Sequence, residues 1–61
     1  MTVTAVFSDR DGNIVSRYTF VINRAGPAGK RMFANGIQAA IVDFHDHNPD
    51  KQLFGHVISF E

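Results

Sequence analysis

The sequence predicts an α+β domain in the order β-β-α-β: a three-stranded antiparallel sheet, strand order 2-1-3, with one helix packed on one face. Three observations predict it. Two alternating, β-branched runs flank Asp11-Gly12, an apolar stripe of helical period follows them, and another alternating run comes after Asn48-Pro49-Asp50. No repeat, linker or low-complexity tract divides the chain, so residues 1–61 read as one small domain.

The first strand is TVTAVFSD and the second IVSRYTFVIN, both rich in residues that suit a pleated surface. Asp11-Gly12 between them is a strong hairpin signal. A two-residue loop there sets Phe7 opposite Ser16, Ala5 opposite Tyr18 and Val3 opposite Phe20. One face then collects Val3, Ala5, Phe7, Ile14, Tyr18, Phe20 and Ile22. The other collects Thr2, Thr4, Val6, Ser8, Val15, Arg17, Thr19 and Val21. The larger side chains fall together without adjustment, which supports the register.

The helix is expected from about Gly29 to His45. Phe33, Ile37, Ala40, Ile41 and Phe44 recur at i, i+4, i+7, i+8 and i+11, a single apolar stripe. Gly36 weakens that helix by roughly 1 kcal/mol relative to alanine, and offers a close approach to the sheet in return. Asn48-Pro49-Asp50 stops it. QLFGHVISFE is the third strand, with Phe54, Ile58 and Phe60 expected on the inner face and Leu53 and Val57 on the outer one. The crossover makes this strand parallel to the second, so pairing with the first gives an antiparallel sheet that needs only one covered face.

Bulk composition bounds what the domain does. A chain this short buries only about 60% of the surface its unfolded form exposes, and it has no cysteine to staple it. Small unstapled domains gain stability by oligomerising or docking on a partner, so a homodimer is one expectation. The absence of cysteine fits a reducing compartment, no apolar run approaches the roughly 18 residues of a membrane span, and no signal-peptide pattern opens the chain. The expectation is a cytoplasmic protein that does not enter a membrane.

Charge is zero overall but unevenly placed. Residues 1–31 hold five basic and two acidic side chains, net +3, and residues 32–61 hold one basic and four acidic, net −3. Asn23–Met32, NRAGPAGKRM, looks at first like a phosphate-binding loop. A nucleotide-binding loop needs four residues between its glycines and then Lys-Ser/Thr, whereas Gly26 and Gly29 are two apart and Arg31 stands in the hydroxyl position. What remains is a basic cluster, Arg24, Lys30 and Arg31, at the positive end of the helix dipole, with Asp43 and Asp46 near its negative end. Charge placed against the dipole at both ends suggests an anion site, on a phosphate or on a carboxylate of a protein partner, with Arg17 joining it. The alternative is a set of long side chains pointing into solvent.

His45-Asp46-His47 has i, i+2 spacing, which turns the two rings apart on a helix, so a solvated helix end is favoured over a metal site. Ser8, Ser16 and Ser59 lie in strands without an activating base, and Asp9 and Asp11 read as turn formers. Nothing assembles a nucleophile, base and oxyanion site, so the expectation is no enzyme, no cofactor and no metal.

The sheet face away from the helix offers a second surface, an interface formed by Val6, Val15, Val21 and Val57. A nucleic-acid platform would carry aromatics there, and this register sends them inward. The resulting expectation is a protein-binding module that meets an acidic protein surface through the basic cluster or the open sheet face. A small nucleic-acid-binding domain or a homodimerising structural subunit are the alternatives. The β-β-α-β layout is similar in outline to small phage-encoded proteins that inhibit host machinery, a resemblance of topology without a shared motif, and it implies an inhibitor of a host protein.

Overall fold

Four elements make up the computed structural model, which describes all residues from Met1 to Glu61: β1 (Thr2–Ser8), β2 (Ile14–Val21), α1 (Gly26–His47) and β3 (Val57–Phe60). The sheet order is β2-β1-β3, and β1 runs antiparallel to both neighbours. The predicted fold class is the one observed.

Alternation fixes the register of the hairpin as expected, with Val3 opposite Phe20, Ala5 opposite Tyr18 and Phe7 opposite Ser16. The turn itself differs. Asp9 N–H donates to the Asn13 carbonyl at 2.9 Å, leaving Arg10, Asp11 and Gly12 as a three-residue loop. Gly12 takes φ +84°, a left-handed conformation that glycine adopts without steric cost. The Asp9 carboxylate accepts the N–H groups of Asp11 and Asn13, both at 2.9 Å. An extra residue in the turn must be absorbed, and Val15 absorbs it. Ser8 pairs with Ile14 while Phe7 pairs with Ser16, so Val15 bulges out of the ladder. The bulge exchanges two faces. Ile14, expected inside, lies across from Ser8 on the open face, and Val15, expected outside, packs against the core.

The helix begins three residues earlier than its stripe predicts. Ala25 is its extended N-cap and supplies no side-chain bond, while Pro27 sits at the start, where a missing N–H costs nothing. At the far end Asn48 donates both its backbone N–H (2.9 Å) and its side-chain amide (3.0 Å) to the Phe44 carbonyl. Asn48-Pro49 thus ends the helix by capping it as well as by breaking it.

Packing follows the predicted stripe. Phe7 of β1 and Phe44 of α1 stack at 4.8 Å between ring centroids, both fully buried, with Ala5 and Ala40 beside them. Further along, Tyr18, Phe20, Phe33 and Phe60 follow one another at 6.4, 5.9 and 5.1 Å. Gly36 lies against this row: a β-carbon there would run into the Phe20 ring, so the helix comes close to β2 only because position 36 has no side chain. Only eight of 61 residues are buried, which leaves little stability to spare.

The third strand is shorter than its sequence suggests. Gly55 at φ +88° and a turn bond from His56 N–H to the Leu53 carbonyl (3.1 Å) keep residues 53–56 out of the sheet. Two expectations change with it. Leu53, expected on the open face, packs against the core, and Phe54, expected inside, is 84% exposed.

Candidate protein-interaction surface

Residues paired across an antiparallel sheet share a face, so the register lays out the open side in rows. Ile14, Ser8 and Val57 form the row at the hairpin end, and Arg17, Val6 and Ser59 the next. Thr19 and Thr4 follow, their hydroxyls 3.0 Å apart, with Glu61 completing the row through reciprocal backbone bonds to Thr4. Val21 and Thr2 close the far end. No aromatic side chain stands in these rows.

The four valines named from sequence separate. Val21 and Val57 lie on this face and are exposed. Val6 lies on it too, yet is only 5% exposed. It occupies the central strand between Arg17 and Ser59, and an Arg17–Glu61 ion pair (Nε to Oε1, 3.4 Å) spans the sheet beside it. Neighbours on both sides therefore leave Val6 little contact area. Val15 is withdrawn to the helix side by the bulge. Ile14, 50% exposed, takes its place on the face.

An apolar corner results at the hairpin end. Ile14 and Val57 flank Ser8, and Phe54 stands in the loop that leads into β3. That loop meets the hairpin loop, because the Arg10 guanidinium rests against Gly55, about 3.6 Å from where a β-carbon would be. His56 turns the other way, its ring 5.2 Å from Phe44 and its Nδ1 buried without a hydrogen-bond partner. Sequence reasoning missed Ile14 and Phe54. The Asp9-x-x-Gly12-Asn13 pattern of a three-residue loop was the available clue for the first, and Gly55 for the second.

The basic residues do not form one cluster. Arg24 is exposed in the loop before α1, and its carbonyl lies so close to Gly29 that a β-carbon there would collide with it. Lys30 and Arg31 are exposed too, and none of the three enters an ion pair. Arg17 stands on the open face of the sheet, away from the helix, tied to Glu61. Because α1 starts at Gly26, Lys30 and Arg31 fall in its second turn, beyond the stretch where the dipole acts strongly. The charges oppose the dipole less than the sequence suggests.

The other helix end is also better balanced than expected. His45 and His47 occupy the last turn, and His47 Nδ1 lies 2.9 Å from the Asp43 carbonyl and 3.1 Å from its carboxylate. The bond to the backbone of Asp43, and then that carboxylate's charge, raise the His47 pKa above its ordinary value. Asp9 moves the opposite way. The backbone hydrogen bond from Asn13 lowers its pKa most, partial desolvation opposes the change, and the Asp11 amide adds to the lowering. No three His, Asp or Glu side chains gather as a metal ion would require. Asp43, His47 and Asn48 instead form one wall of an open groove of about 550 Å³, whose other wall is β2 from Val15 to Thr19.

The fold and surface define a small open-faced α+β domain with an exposed apolar corner. No family model, curated protein or solved structure matches the chain. No helix is long and apolar enough to cross a membrane.

Proposed function

We propose that this domain works by binding another protein, with the hairpin-end corner of its sheet as the contact surface. One observation carries the reading: Phe54, Val57 and Ile14, 84%, 61% and 50% exposed, are gathered at one end of a domain that can spare little apolar surface. An apolar centre with a charged rim is a common interface layout, and Asp9, Arg10 and Asp11 of the hairpin loop give this corner a rim of both signs. The partner surface that fits is apolar at its centre with a polar rim. Without aromatics in its rows, the open face lacks the stacking platform that a nucleic-acid-binding reading calls for. In its sharpest form the proposal makes the domain an inhibitor that occupies a surface of a larger protein.

The test is recovery of partners from source-cell lysate by tagged wild-type protein and by Phe54→Ser/Val57→Ser, each with and without nuclease. A protein retained through nuclease and lost with the double substitution, while circular dichroism stays native, is the expected result. Equal recovery by both proteins would sink the hairpin-end assignment. Recovery abolished by nuclease would make nucleic acid the ligand.

A further inference from the structure

The free edge of β2 is the longer of the two unpaired edges of the sheet. Met1 and Ile22 exchange backbone bonds of 2.8 Å, which sets the alternation of the ladder. By that alternation Ser16, Tyr18 and Phe20 direct their N–H and C=O groups to β1, and Arg17, Thr19 and Val21 direct theirs outward. Nothing in the chain covers them, for the groove between this edge and the end of α1 is open. The usual protections are few: the edge has no proline or lysine, its one charge, Arg17, is tied to Glu61, and its single bulge lies back at Val15. β3, the other edge, is half as long, four residues against eight.

We infer that a second copy of this chain pairs with this edge, β2 against β2 about a two-fold axis at Thr19, giving a continuous six-stranded sheet. The surface is different from the hairpin-end corner, and the inference does not rest on the function proposed there. Self-complementarity argues for a second copy over an unrelated strand. With the axis at Thr19, threonine faces threonine, extending the Thr4–Thr19 row across the dimer. Tyr18 faces Phe20 of the second copy, and Arg17 faces Val21 of the second copy, so no charge meets its own image.

Charge complementarity points the same way. The chain returns from β2 through α1 in the opposite direction, so Asp43 and His47 lie beside Val15 and Ser16 at the start of β2. A two-fold axis brings the far end of the second copy's β2, with its unpaired Arg24, to that place. The basic loop of each copy then meets the helix end of the other, where Asp43 is shared with His47 and Asp46 enters no ion pair, and the two helices run antiparallel with opposed dipoles. The uneven charge of the two sequence halves thereby acquires a role. A domain with eight buried residues also gains what it lacks alone.

Sedimentation and light scattering of the purified chain between about 10 and 500 μM, with amide exchange read residue by residue, test the inference. The expected mass is twice 6.8 kDa at high concentration, with Arg17, Thr19 and Val21 amides protected there and released on dilution. Thr19→Lys places like charges on the axis at a position exposed in the single chain, and should weaken association about tenfold with native circular dichroism. A monomer throughout the range overturns the inference. So does a dimer whose Arg17, Thr19 and Val21 amides exchange freely, or a folded Thr19→Lys protein that associates as before.

Discussion

The two ends of this molecule are built differently. At the hairpin end, Phe7 and Phe44 are stacked and fully buried, the loop is held by the Asp9 carboxylate, and the helix is capped by Asn48. At the helix-start end the aromatics are only partly covered, Phe60 being 45% exposed, and α1 begins without a side-chain cap. Apolar burial and satisfied backbone ends are concentrated together at one end. The other end carries unpaired positive charge over a loosely covered aromatic row. In a domain this small, stability is therefore a local property, and the end that holds the fold together is also the end that presents Phe54, Ile14 and Val57.

Substitutions at matched aromatics should break the comparison most clearly. Phe44→Ala removes a fully buried ring and should cost about 3–5 kcal/mol, enough to abolish cooperative unfolding in a domain of this size. Phe60→Ala removes a half-exposed ring and should cost less than half as much, leaving a folded protein with a lowered denaturation midpoint. Equal losses in urea titrations would refute the lopsided core. Gly36→Ala comes next. It gains up to about 1 kcal/mol of helix propensity but drives a methyl group into Phe20, and overpacking of this kind costs about 1–3 kcal/mol. Net destabilisation is expected, and a stabilised variant would show that the helix and β2 separate easily.

Ala25→Asp would sharpen the contrast by repairing the weak end. A capping side chain there should add about 1 kcal/mol and raise the thermal midpoint by a few degrees. No change would mean that the first turn is already satisfied by water. The smallest effects belong to pH. The lowered pKa of Asp9 means its contribution is present above the unfolded carboxylate pKa and is lost as pH falls through the folded value, so the hairpin should loosen in acid. The raised pKa of His47 gives the opposite sign. Its contribution is complete below the unfolded histidine pKa and lost as pH rises through the folded value, and His47→Gln should flatten that limb of the stability profile. An unchanged profile would show that the Asp43 contact contributes nothing in solution.

The strand order and the pairing of β1 with β2 were legible because alternating residues leave one register that buries the large side chains. The hairpin was not fully legible, because Asp11-Gly12 fits a two-residue turn and also the end of a three-residue turn with a bulge. Both preserve Phe7 opposite Ser16, and they differ only in where Ile14 and Val15 point. The helix start escaped for a related reason: Ala25 has no capping side chain to announce it, and the glycines look like loop. Val6 shows a third limit. Its face was read correctly, but its exposure depended on Arg17, Ser59 and Glu61, residues distant in sequence that register alone does not bring over it.

Gly36 sets more than a distance. Gly36 leaves a vacancy on the face of α1 turned to β2, and the Phe20 ring occupies it. Sliding the helix by one turn in either direction would present Met32 or Ala40 to the ring instead, neither of which leaves room. The pair works like a key in its slot, fixing the helix lengthwise on the sheet. A core of few, similar aromatics could otherwise accept several alignments of nearly equal energy. The helix propensity given up at position 36 is exchanged for a single docked position, and so for one native arrangement.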